Sequence, residues 1–146
     1  MENEDQRNRL RKKRKMDLLL LIIILVGAMI YYRFNSADQI TLQAREASLE
    51  IMGPDQFFIE IPYEKMDTLE LRDCPEDLQN GKESRYCRYG NWEISDGTVY
   101  TVGLVKNLHK CIYVSAKGEE FLINTESDEV TERFFEAFQK LQKEVK

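Results

Sequence analysis

A chain of 146 residues gives one domain of ordinary size plus short appendages, since domains commonly run to about 100–150 residues. With 42% hydrophobic and 32% charged residues, three prolines and seven glycines, it is neither wholly disordered nor collagen-like. Charge is unevenly spread: residues 1–33 carry eight Lys/Arg against four Asp/Glu, and the remainder carries thirteen against twenty-two. An acidic globular part repels phosphates, which argues against a nucleic-acid partner.

Residues 7–15 hold seven basic side chains, of which Arg11, Lys12, Lys13, Arg14 and Lys15 run consecutively before Met16 and Asp17. Fifteen uncharged residues follow, Leu18 to Tyr32. As a helix this run rises about 22 Å against a hydrocarbon core of roughly 30 Å, so its flanks must complete a crossing. Lys15 and Arg33 can bury their stems and keep their charges among headgroups, while Tyr31 and Tyr32 suit the far interface. The pattern predicts a single-pass signal-anchor helix built on Leu18, Leu21, Leu25, Ile30, Tyr31 and Tyr32. Lys and Arg resist translocation, so Arg11 to Lys15 set the orientation: N-terminus cytoplasmic, remainder extracytoplasmic, at the cell membrane. The rival reading is a cleaved signal peptide. Val26-Gly27-Ala28 offers the small residues, but cleavage there leaves Met29, Ile30, Tyr31 and Tyr32 as an apolar terminus.

From residue 45 the apolar pattern has period two, which places alternate side chains on one face of a sheet. Ala47, Leu49 and Ile51 form a first strand ended by Gly53-Pro54-Asp55; Phe57, Ile59 and Ile61 a second ended by Pro62; Met66 to Arg72 a third. Residues 73–84 are polar, with Pro75 and Asn80-Gly81, and read as a long exposed loop. Arg85 to Ile94 and Thr98 to Val105 flank Asp96-Gly97, a strong hairpin signal. Lys110 to Ser115 and Glu119 to Asn124 flank Ala116-Lys117-Gly118 and make a second hairpin, completing seven strands. The end changes period: Val130, Phe134, Phe135, Phe138, Leu141 and Val145 recur every three to four residues, an amphipathic helix of about four turns. Ser127 or Asp128 can cap its first amides.

Seven antiparallel strands closed by one C-terminal amphipathic helix resemble the pleckstrin-homology superfold. The residues Tyr89-Gly90-Asn91-Trp92, Asp96-Gly97, Ile112-Tyr113-Val114, Phe121 to Thr125 and Phe134-Phe135-Glu136 are similar to the bacterial pleckstrin-homology family, over roughly residues 40–143. The resemblance implies an all-β barrel with a capping helix, and a family that includes small proteins with membrane spans. Its motifs are structural and none is catalytic. Lipid-binding relatives grip inositol phosphates with clustered Lys and Arg on the loop joining the first two strands. Here that loop is Gly53-Pro54-Asp55-Gln56, without a base, so no phosphoinositide is expected. The resulting plan is a tail (1–17), a span (18–32), a tether (33–43) and a pleckstrin-homology-like domain (44–146).

Candidate chemistry is sparse. His109 is the single histidine, so any hydrolytic triad or metal cluster would have to use it, and it reads as a solvated loop residue. Cys74, Cys87 and Cys111 show no zinc spacing. Outside the cell, a Cys74–Cys87 disulfide would close the long loop and contribute about 3 kcal/mol in the entropic model, while Cys111 reads as a core residue. Glu76, Asp77, Glu119, Glu120, Asp128 and Glu129 lack the order of a calcium loop. Arg72, Arg85 and Arg88 form either a basic patch or pairs with local acids. Trp92 with Tyr86, Tyr89, Tyr100 and Tyr113 reads as cross-strand packing, or as a contact patch if it faces outward.

No catalytic residue, metal site or cofactor is therefore expected. The chain reads as a non-enzymatic binding or scaffolding module at the outer membrane face, its partners the membrane and another membrane or envelope protein contacted through edge strands. A barrel that binds a small lipid or cell-envelope ligand is the alternative; a hydrolase or transferase is a further one, weakened by the lone histidine.

Overall fold

A computed structural model of the chain describes residues 2–145, and the side chains of residues 3–31 and 38–144. It divides into two compact units, residues 1–36 and 37–146.

The first unit is one helix, α1 (Glu2–Ala37), which carries the basic segment and the apolar run without a break. Its described side chains are exposed: Leu18 61%, Leu21 55%, Leu25 61%, Ile30 51% and Tyr31 70%; Arg11 to Lys15 are exposed as well. Among the described residues, no helix is long and apolar enough to cross a membrane. That corrects the expected single-pass anchor, with its cell-membrane location and its N-terminus-in orientation. The uninterrupted apolar run has described side chains only from Leu18 to Tyr31, about 21 Å of helix, and Asp17 borders it directly with Lys15 two residues earlier. The Tyr32 side chain, also assigned to the anchor, lies outside the described residues.

The second unit holds nine strands among the described residues, arranged in two sheets, and a C-terminal helix. The smaller sheet has the order β1-β2-β3: β1 (Thr41–Ala44), β2 (Ser48–Met52) and β3 (Phe58–Pro62), all antiparallel. A single 3-10 turn at Tyr63–Lys65 leads into the larger sheet, order β4-β8-β9-β7-β6-β5. Its strands are β4 (Met66–Asp73), β5 (Lys82–Glu83), β6 (Cys87–Glu93), β7 (Val99–Val105), β8 (Lys110–Ala116) and β9 (Glu119–Ile123). Residues 38–43, expected as tether, belong to this unit, with Ile40 only 2% exposed.

The expected seven-stranded closed barrel is corrected to these two open sheets. The reason is the position of β9. It inserts between β7 and β8, antiparallel to β8 but parallel to β7, with Val102 opposite Leu122. The up-and-down order that would roll into a barrel is thereby interrupted, and the sheet ends at β4 on one side and β5 on the other.

Both glycine-marked hairpins form. Gly97 (φ 89°) supports the β6–β7 turn, and Lys117 (φ 46°) with Gly118 (φ 84°) supports β8–β9. The left-handed pair Lys117–Gly118 matches the twist of its flanking strands.

The larger sheet buries both faces. On one face lies the main core, in which Leu49, Ile51 and Ile61 of the small sheet pack with Ile112, Val114, Phe121 and Ile123. Gly103 of β7 permits the close approach of the sheets: a Cβ there would lie 3.0 Å from Ile51 Cγ2. On the other face Trp92, Val102, Leu104, Cys111, Tyr113 and Leu122 form a second core. The polar stretch 73–84 covers it with Cys74 and Leu78 and contributes β5, so the loop is a partly structured lid rather than a fully exposed excursion.

Helix α2 (Asp128–Val145) seals the main core. Phe138 is 2% exposed, its ring 5.4 Å from Tyr63 and 5.9 Å from Phe134. Ser127 is the cap, its Oγ accepting the Val130 amide at 3.2 Å. Asp128 faces the other way and accepts the amides of His109 and Lys110, each at 2.9 Å, which fixes the start of β8 to the start of the helix.

Candidate functional site

Sheet edges are the first place where chemistry can occur, because each offers unpaired N–H and C=O groups. The four edges differ. β4 is long but carries Asp67, Glu70, Arg72 and Asp73, all exposed, with Arg72–Glu70 paired at 2.6 Å and Lys110–Asp73 at 2.7 Å. Such charges deter pairing with another strand. β5 is two residues long and β1 four. β3 reads Phe58-Ile59-Glu60-Ile61-Pro62, and its only charge, Glu60, accepts a hydrogen bond from Ser48 Oγ at 2.9 Å. Phe58 is 53% exposed. Among the described residues, the backbone of Phe58 to Ile61 makes no hydrogen bond beyond those to β2. A groove of about 200 Å³ runs between β3 and the β8–β9 turn, lined by Glu60, Ile61, Pro62, Lys65, Lys117 and Glu119.

A second feature lies at the end of the β4–β8 ladder, on the face covered by the 73–84 stretch. A cleft of about 540 Å³ opens there, bordered by Cys74, Glu76, Arg88, Lys106 and His109. Cys74 is half-buried and Cys111 fully buried. The ladder sets Arg72 opposite Cys111, and the Cys74 amide donates to the His109 carbonyl at 2.8 Å, so both thiols face the second core. Asn124, wholly buried, donates to the Lys110 carbonyl at 3.2 Å and to Cys74 Sγ at 3.8 Å, and accepts the Val105 amide at 2.6 Å. A hydrogen bond from the Cys111 thiol stabilises the Cys74 thiolate and draws Cys74 below the ordinary thiol range, against the opposing effect of burial. The same contact, with burial, pushes Cys111 up.

The remaining sequence-derived candidates fall as follows. Cys87 is buried in the main core rather than beside Cys74; its Sγ donates to the Asp38 carbonyl at 3.5 Å, and all three cysteines are free. Burial and the nearby Asp38 push the Cys87 thiol up to about 12. His109 contributes backbone groups, its N–H to Asp128 and its carbonyl to Cys74. Among the described residues, no three His, Cys, Asp or Glu side chains form a cluster able to hold a metal. Trp92, Tyr89 and Tyr113 are buried and Tyr100 is half-buried; Tyr86 alone is exposed, at 43%. The arginines lie over aromatic rings: Arg72 is 3.6 Å from the Tyr113 centroid, Arg88 5.3 Å from Trp92 and Arg85 5.2 Å from Tyr86. Sequence reasoning missed two things. One is the Cys74–Cys111 juxtaposition, which depends on strand order; the other is Asn124, which has no motif.

No protein-family model, curated protein or solved structure matches the chain.

Proposed function

We propose that the chain is a non-enzymatic binding module which recruits an extended, apolar segment of a partner protein by strand addition to the free edge of β3. The observation that carries this reading is the contrast between edges. β4 is blunted by four charged side chains and β5 is very short, whereas β3 combines an outer backbone edge without a partner among the described residues with an exposed phenylalanine. An added strand hydrogen-bonds through main-chain groups and gains specificity from alternate side chains. The half-buried Ile59 and the neighbouring groove supply such positions, and the ion-forming groups Lys65, Lys117 and Glu119 make a polar rim. The small sheet is held rigidly on the larger one by the main core, so the edge is pre-formed.

The test is a photo-crosslinking residue at position 58 of the full chain in its native cells, with the same residue at exposed position 139 on α2 as control. A specific partner captured from position 58, and lost when Ile59 is replaced by Lys in a chain that keeps its circular-dichroism spectrum, supports the reading. Equal capture from both positions, or capture that survives the charge, overturns it.

A further inference from the structure

The Cys74–Cys111 pair takes no part in the proposed strand addition, and its placement is unusual. One thiol borders an open cleft; the other, opposite Arg72 on the β4–β8 ladder and in the core against which Cys74 packs, has no exposure of its own. A buried amide, Asn124, holds the outer sulfur, and the same amide anchors the start of β8 and the end of β7. Cys74 follows the last residue of β4 and precedes Pro75, so a single backbone bond, to His109, restrains it. Movement there can bring the sulfurs to bonding distance without disturbing the sheet.

We infer that Cys74 and Cys111 constitute an oxidisable dithiol whose oxidant is hydrogen peroxide, with Cys74 as the attacking thiol and Cys111 as the resolving one. Peroxide is small and uncharged, so it enters a cleft whose border mixes Glu76 with Arg88 and Lys106 without selection by charge. The Cys74 thiolate attacks one peroxide oxygen and the O–O bond breaks. Cys74 becomes a sulfenic acid, and the departing hydroxide takes the thiol proton and leaves as water. The Cys111 sulfur then attacks the sulfenic sulfur, the S–O bond breaks, and the hydroxyl leaves with the Cys111 proton as a second water. Two thiols are oxidised by two electrons and one peroxide is reduced to two waters. Cys87 is excluded by position, since it sits in the other core against Asp38. The polarisation of Cys74 by the Cys111 thiol favours the order of attack.

Trypsin separates the three cysteines, because Arg72, Lys82, Arg85, Arg88, Lys110 and Lys117 bracket them individually. Full-length protein is treated with hydrogen peroxide, denatured in an alkylating agent, digested and mapped by mass spectrometry. The expected product joins peptide 73–82 to peptide 111–117, two hydrogens lighter than their sum, while Cys87 is recovered alkylated. In Cys111→Ala, dimedone is expected to trap a sulfenic acid on Cys74; in Cys74→Ala, Cys111 is expected to stay reduced. The inference is overturned by a linkage that includes residues 86–88, by Cys74–Cys74 dimers in place of the internal bond, or by recovery of all three thiols alkylated. The wild-type map decides the question even if a variant fails to fold.

Discussion

Gly81 lies against the indole of Trp92 so closely that a Cβ at position 81 would fall 2.2 Å from Trp92 Cε2. This contact closes the 73–84 stretch over the second core, and the Trp92 Nε1–H donates to the carbonyls of Tyr89 at 3.0 Å and Lys82 at 3.2 Å. The indole is thus clamped between a strand and its lid.

Gly81→Ala is therefore expected to destabilise the domain by about 1–3 kcal/mol, the usual cost of overpacking. Urea denaturation followed by Trp92 fluorescence checks this, with Gly27→Ala, where a Cβ meets nothing within 4 Å, as the neutral comparison. An unchanged midpoint in Gly81→Ala would remove the lid from the account.

Asn124→Ala leaves the Val105 amide and the Lys110 carbonyl without their buried partner. Each orphaned group costs about 1–3 kcal/mol, so the loss should be at least about 2 kcal/mol by chemical denaturation. Asn91→Ala, which removes only an exposed bond from Thr101 Oγ1, should stay within about 0.5 kcal/mol.

Phe138→Ala removes the ring that packs α2 against Tyr63 and stacks on Phe134 of the same helix. A loss of about 3–5 kcal/mol is expected, as for other buried aromatics. Amide exchange should show α2 opening before the six-stranded sheet, because helix packing is lost and the β ladder is not.

How much of this was legible beforehand depends on range. The hairpins at Asp96-Gly97 and Lys117-Gly118 are local, as is the phenylalanine stripe of α2, and each is visible as turn chemistry or period. The seven stretches read as strands lie on β2, β3, β4 and β6 to β9. β1 and β5 were not legible: Thr41–Ala44 has little alternation, and Lys82–Glu83 is two residues long inside a polar loop. Strand order was not legible either. Nothing local says that Phe121 pairs with Thr101 in parallel, yet that one pairing replaces a barrel by two open sheets, and the equally non-local β4–β8 pairing puts Cys74 in one core with Cys111 rather than Cys87. The arginines were misleading for a related reason. Their partners are aromatic rings one or four residues away along the chain, or across the ladder, not only carboxylates.

Alkaline stability follows from Cys87. Its pKa is raised in the folded state, by burial first and then by Asp38, so the folded chain holds a proton that the unfolded chain releases. The stabilising contribution is complete below the ordinary thiol pKa and is lost as pH rises from there through about 12. Tyr63, Tyr89, Tyr100 and Tyr113, all raised, act in the same direction at somewhat higher pH than the thiol's onset. Thermal melts between pH 8 and 11 should show a falling Tm, with a shallower fall in Cys87→Ala. Equal slopes would mean that the thiol does not titrate differently on unfolding.

The central claim concerns the backbone of β3, and backbone amide exchange reads it directly. In the free protein the outward amides of Phe58 to Ile61 should exchange quickly while those of β8 and β9 are protected; in the complex purified through the position-58 crosslink, β3 should gain protection and the β4 edge should not. Protection confined to β4, or β3 amides that exchange equally fast in both states, would contradict strand addition at β3.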